Sequence, residues 1–206
     1  MKLRTIALVL AITLVSAAAH AQAGVYVLME AQQFTQEGVD TPAFPNSMDT
    51  DRPWLFGPAF GAYLNVTHLP RLGELKTGPV VFGFDARGDV LRDNIYQTQQ
   101  FDRADGIFSL RMATKNQFMH STPYVQGGFG IGHTRVPFRP NYANNFIYQF
   151  GIGVDHKVRG RLDWRVIEAN GSFLANYSTG YYPGGVGPNQ SSYMITVGTG
   201  FVFRSR

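Results

Sequence analysis

From residue 24 onward, apolar and small or polar residues alternate with a period of two, and that pattern commits most of the chain to β-strands. Over 80–90, Val80, Phe82, Phe84, Ala86 and Val90 share one parity, while Gly83, Asp85, Arg87 and Asp89 share the other. Over 193–203, Tyr193, Ile195, Val197, Thr199, Phe201 and Phe203 alternate with Met194, Thr196, Gly198, Gly200 and Val202. The same alternation runs through 56–66, with Phe56, Pro58, Phe60, Ala62, Leu64 and Val66 on one face. It returns over 148–155, where Tyr148, Phe150, Ile152 and Val154 oppose Gln149, Gly151, Gly153 and Asp155. Less regular copies lie near 24–35, 105–114, 122–135 and 162–175. Helical periodicity of any length is missing. The count is eight strands, an even number, and most reach the roughly 9–11 residues of a tilted membrane strand.

The connections alternate too. Those near 37–53, 93–103, 137–144 and 177–191 are long and rich in Pro, Gly, Asn and Asp, whereas 67–77, 115–121 and 158–161 are shorter. Long loops at one end and short turns at the other are the layout of an outer-membrane barrel, although 67–77 is long for a turn.

Which face is apolar decides between a soluble and a membrane barrel. One face of the alternation carries Phe, Val, Ile, Leu and Tyr; the other carries glycines and isolated charges. A soluble barrel needs a densely charged outer face. Only 16% of these 206 residues are charged and 14% are aromatic, against a charged fraction of about 25% in soluble domains. A glycine-rich, thinly charged face suits the crowded lumen of an eight-stranded barrel. The expected fold is therefore an all-β, eight-stranded, antiparallel, up-and-down transmembrane β-barrel. Aromatic residues at strand ends, Tyr26, Trp54, Tyr124, Tyr148, Trp164 and Tyr193, are assigned to interfacial girdles.

The first residues read as an address. Lys2 and Arg4 precede an apolar run over 6–19, followed by Ala19-His20-Ala21 and Gln22-Ala23. A basic start, a short apolar stretch and small residues two apart make a secretory signal peptide. The run is shorter than the roughly 20 residues of a membrane anchor. We assign 1–21 to the signal, with cleavage after Ala21 or Ala23, and 22–206 to one barrel domain. Loss of Lys2 and Arg4 removes half of the formal charge of +4, and the rest is too scattered for nucleic-acid binding. There is no cysteine, hence no disulfide and no cysteine-held metal.

Taken together, these features resemble a known family. Gly83-Phe84-Asp85-Ala86-Arg87-Gly88, Pro123-Tyr124-Val125-Gln126-Gly127-Gly128 and Trp164-Arg165-Val166-Ile167-Glu168-Ala169 are similar to the third, fifth and seventh strands of small outer-membrane barrels of the OmpA/OmpX type. These are the porin-family proteins that consist of an outer membrane protein β-barrel domain. The resemblance spans about 24–203. It implies residence in the outer membrane among its lipids, and insertion by a barrel-assembly machinery that reads an aromatic-ended last strand. Tyr193, Ile195, Val197, Phe201 and Phe203 would be that signal, although Arg204-Ser205-Arg206 runs past the usual end. The soluble peptidoglycan-binding domain that OmpA carries after its barrel is not expected here.

Candidate chemistry follows from the lumen face. Glu30, Asp85, Arg87, Arg111, Asp155 and possible partner Glu168 would share a narrow space, where opposite charges must pair because unpaired buried charge is costly. The choice is between a gated ionic path and a salt-bridge plug, and the small bore favours the plug. Around 162–173 the parity breaks. Either a bulge near Val166 flips the faces or Arg165 points outward, with Glu168 placed in the lumen. A lipid-trimming enzyme would need a serine, a histidine and an acid, but neither His120-Ser121, His68, His133-Thr134 nor Asp155-His156 spells a triad. Asp40, Asp49 and Asp51 lack calcium-loop spacing, and Gly184-Gly185-Val186-Gly187 lacks the strand-to-helix setting of a phosphate loop. No catalytic residue, metal or cofactor is expected. The expected role is structural or surface contact through the long loops with an unidentified partner, with at most weak ion or small-solute passage, by a monomer. The alternatives are a soluble lipocalin-like barrel that binds an apolar ligand in the periplasm, and a lipid-modifying barrel enzyme.

Overall fold

A computed structural model describes residues 22–35, 54–66, 74–75, 78–92, 102–114, 119–135, 142–177 and 190–205. Eight long strands and one short one make up these residues. They are β1 (Gln22–Thr35), β2 (Trp54–Val66), β3 (Glu74–Leu75), β4 (Gly78–Arg92), β5 (Asp102–Thr114), β6 (Ser121–Arg135), β7 (Tyr142–Arg159), β8 (Leu162–Tyr177) and β9 (Gln190–Arg204). Each long strand pairs antiparallel with its neighbours in the chain, and β2 passes directly to β4. β9 returns to β1 from Gly24↔Arg204 to Thr35↔Tyr193, which closes the ring. Closure satisfies the edge hydrogen bonds that an open sheet would leave bare.

The eight expected strands are all present, most of them longer than their apolar cores. β7 extends over 18 residues, beyond 148–155 in both directions. Part of the connection between β2 and β4 is itself ordered. Glu74 and Leu75 pair antiparallel with Pro79 and Gly78 at the start of β4. A two-residue turn joins β7 to β8, where Arg159 pairs with Leu162 around Gly160 and Arg161. Gly160 has φ of +60°, a conformation that glycine adopts without the steric penalty of a Cβ atom.

The strand ends divide into two sets. The turn end carries the start of β1, the end of β9 and the connections to β4, β6 and β8. The other end, the loop end, carries the four remaining connections. The signal segment 1–21, His68 and the loop residues Asp40, Asp49, Asp51 and Gly184 to Gly187 lie outside the described residues.

The apolar parity faces outward. Phe150 is 74% exposed, and Met29, Phe60, Leu110, Phe129, Ile131 and Ile152 are also exposed. Glu30, Asp85, Arg87, Arg111, Asp155, Arg165 and Glu168 are buried, all on the inward parity. The usual arrangement of a soluble protein is therefore inverted over the whole circumference.

Candidate functional site

The site is the lumen, and it is built across the barrel. Arg87 on β4 pairs with Glu168 on β8 and with Glu30 on β1. In the ring order, β4 and β8 stand opposite one another, so this one guanidinium bridges the full bore. Arg165 on β8 donates from Nε to Asp155 Oδ1 at 2.8 Å and from Nη1 to Glu168 Oε2 at 2.7 Å. Arg111 on β5 donates from Nη2 to Asp155 Oδ2 at 2.8 Å. Five of the six sequence-derived lumen residues thus fall into one network. The sixth, Asp85, accepts a hydrogen bond from the Tyr26 hydroxyl at 2.7 Å. A planar guanidinium with several fixed donors suits such multi-carboxylate bridging.

The tyrosines correct part of the girdle assignment. Tyr26 and Tyr124 are buried in the lumen, not at the interfaces, because they share parity with Glu30 and Gln126. Tyr124 donates its hydroxyl hydrogen to Glu168. The Arg111 guanidinium lies 3.8 Å from the Tyr124 ring centroid and 4.1 Å from that of Tyr63, while Arg165 lies 4.3 Å from Tyr26. Such contacts partly replace lost hydration for a buried cation. Each ring lies over the glycine that faces it on the next strand. The pairs are Tyr26 with Gly61, Tyr63 with Gly24 and Tyr124 with Gly153. A Cβ atom on Gly61 or Gly153 would fall within 2.3 Å of ring atoms, so the tyrosines fit only because these positions are glycine. The pairing is the aromatic rescue of a glycine that weakens a strand on its own. The other four aromatic residues, Trp54, Tyr148, Trp164 and Tyr193, do face outward.

A bulge makes the network possible. Across β8, Val154 pairs with Ile167 but Asp155 pairs with Arg165, and the register against β9 slips between Arg165 and Glu168. Val166 and Ile167 both point outward, while Arg165 and Glu168 both point in. Of the two readings left open by the sequence, the bulge is the one adopted. Thr199 stitches it: its hydroxyl donates to the Arg165 carbonyl at 2.9 Å and accepts from Trp164 Nε1 at 3.1 Å. The extra residue puts a cation and its anion on one face three positions apart.

Several lumen residues were not singled out from sequence. Asp89 and Asp105 face each other across β4 and β5. Arg103 Nε donates to Asp105 Oδ2 at 2.6 Å, and Arg87 Nε lies 3.6 Å from Asp89. Gln32 with Thr196, Gln126 with Asn170, and Gln149 with Ser172 add neutral hydrogen bonds. Parity with Glu30, Asp85 and Arg111 was the available signal. Toward the loop end, Leu55, Leu91, Ile147, Leu174 and Met194 form a buried apolar layer. At the turn end, Arg204 pairs with Asp163 and its amide donates to Arg161 O at 2.9 Å, while the Ser205 amide donates to Ala23 O at 2.7 Å. Arg204 and Ser205 thus continue the pairing and close the barrel seam.

The arrangement offers little to the two alternative readings. A concavity of about 1040 Å³ is lined chiefly by outward side chains such as Leu110, Phe129, Phe150 and Ile152. The lumen is occupied by paired polar groups, unlike the apolar interior that a lipocalin-like ligand needs. Ser121 and His156 do meet, Oγ to Nδ1 at 3.0 Å, on the outer face. The adjacent Asp155 points the other way and is held by two arginines, so it cannot orient that histidine. His133 is exposed and meets Asn144, while Thr134 is buried. The described residues include no cluster of three metal-ligating side chains.

No family model and no curated protein matches this chain. Solved structures do. Neisserial surface protein A superposes with a TM-score of 0.55 at 11% identity, covering 88% of this chain and 96% of its own. Ail, the attachment invasion locus protein of Yersinia pestis, gives 0.45 at 10% identity, covering 89% and 99%. The outer membrane protein OprG from Pseudomonas aeruginosa gives 0.46 at 7% identity, covering 90% and 96%. The chain has the closed eight-stranded β-barrel fold seen in Neisserial surface protein A.

Proposed function

We propose that this chain is an outer-membrane β-barrel with a non-enzymatic role, structural and in surface contact through the loops at its loop end. One observation carries the reading: large apolar side chains cover the outside of the barrel while its charges are paired inside. Water would not tolerate that outer face, whereas a lipid bilayer requires it. The likeness to solved outer-membrane barrels supports the same reading. The signal peptide over 1–21 exports the chain. Cleavage falls after Ala21 or Ala23. The outward residues of β9, Tyr193, Ile195, Val197, Phe201 and Phe203, serve as the signal for the barrel-assembly machinery. The lumen network holds the strands together and restricts passage to weak ion flow at most. Ring closure leaves no edge to pair, so the protein acts as a monomer.

The test is fractionation of cells that express the protein with its own leader. The outer-membrane fraction is then run on a detergent gel with and without boiling. Recovery there, with a mobility shift on boiling, is the expected result. Recovery in the soluble periplasm without a shift would overturn the proposal.

A further inference from the structure

The turn end holds a concavity that the lumen network does not use. About 330 Å³ in volume, it is lined by Gln22, Lys157, Gly160, Arg161, Asp163, Arg204 and Ser205. Three cationic side chains and one carboxylate line it. Arg204 is committed to Asp163, and Lys157 and Arg161 remain exposed with no carboxylate paired to them among the described residues. The position is fixed by backbone contacts. The Lys157 amide donates to His120 O at 2.9 Å, Arg204 reaches Arg161 O, and Ser205 reaches Ala23 O. The concavity therefore sits on a rigid seam of β7, β8, β9 and β1. Directly beside it, the outer face presents exposed Trp164, Phe201 and Phe203. The amphipathic indole of Trp164 settles at headgroup depth in a bilayer, so the rim of the concavity stands where lipid phosphates lie.

We propose that this site binds the phosphodiester headgroup of an anionic phospholipid in the leaflet at the turn end, with Lys157 and Arg161 as its charge partners. The Ser205 hydroxyl and Gln22 amide are placed to add neutral hydrogen bonds. This rests on the membrane reading given above and adds to it a defined lipid class, at a defined point on the rim. Arg204 serves a different purpose. By neutralising Asp163 it removes the one negative charge among the described residues that line the concavity.

The experiment uses the full chain, reconstituted in phosphatidylcholine nanodiscs with graded phosphatidylglycerol. Native mass spectrometry counts the lipids retained, and a boiled-against-unboiled gel of the same sample checks insertion. The wild-type protein is expected to retain phosphatidylglycerol in preference to phosphatidylcholine. Lys157→Gln with Arg161→Gln should lose roughly thirtyfold of that preference, given about 1 kcal/mol for each of the two cations near a membrane surface. Arg92→Gln, at the opposite end, should keep it. Inorganic phosphate at millimolar concentration should not displace the lipid. An unchanged preference in the double variant overturns the proposal, as does no preference in a properly inserted barrel. Equal binding of inorganic phosphate without lipid overturns the assignment to a headgroup. A sample without a mobility shift brings down the membrane reading first, and this site with it.

Discussion

The two faces of each strand obey opposite rules. On the inside of β8, Glu168 is fully buried and touched by Arg87, Arg165, Tyr124 and Asn170. On the outside of β7, Phe150 is the most exposed apolar residue of its strand and is flanked by Gly127 and Gly171. In a soluble protein the first would be the anomaly and the second a liability. Here specificity resides in the interior polar network, and the outer face needs only to be apolar. The difference teaches that a substitution should be judged by the solvent its face meets, not by the residue type.

That contrast can be broken in graded steps, read as the temperature or urea concentration at which the folded gel band is lost. The largest effect is expected from Glu168→Ala. It leaves Arg87 and Arg165 short of an anion in a buried site, at a cost of about 3–5 kcal/mol. Phe150→Arg comes next, at about 2–4 kcal/mol for a charge near the bilayer midplane; in a soluble barrel it would be harmless. Gly153→Val should cost about 1–3 kcal/mol by overpacking against Tyr124, and Tyr124→Ala in the same chain should relieve part of it. The smallest effect belongs to Phe150→Leu, within about 0.5 kcal/mol, since one apolar side chain replaces another against lipid. A Phe150→Leu cost that matched Glu168→Ala would mean that the outer face is packed against protein.

Much of this was legible in the sequence. Strands with strict alternation, such as Gly78–Arg92 and Gln190–Arg204, announce both their extent and their faces, because a period of two leaves each residue only two directions. Glu30, Asp85, Arg87, Arg111 and Asp155 could be placed inside on parity alone. Tyr26 and Tyr124 could not be placed by residue type, since tyrosine suits an interface as well as a hydrogen-bonded interior. Their parity pointed inward, and their glycine partners lie on other strands. The β8 bulge was visible only as a conflict between Arg165 and Glu168. Its resolution depends on register with Asp155 and Thr199, which are distant in sequence. The Ser121–His156 contact and the Arg204–Asp163 pair are likewise products of register, 35 and 41 residues apart, which no local pattern encodes.

The central claim, lipid outside and charge inside, is tested most directly by spin labels along β7. The chain has no native cysteine, so Phe146→Cys through Ile152→Cys gives one label per protein. Collision with oxygen, which partitions into lipid, is compared with collision with a water-soluble nickel complex. High oxygen and low nickel accessibility are expected at 146, 148, 150 and 152, with low oxygen accessibility at 147, 149 and 151. Nickel access at the even positions, with no oxygen preference, would contradict it and return the outer face to water.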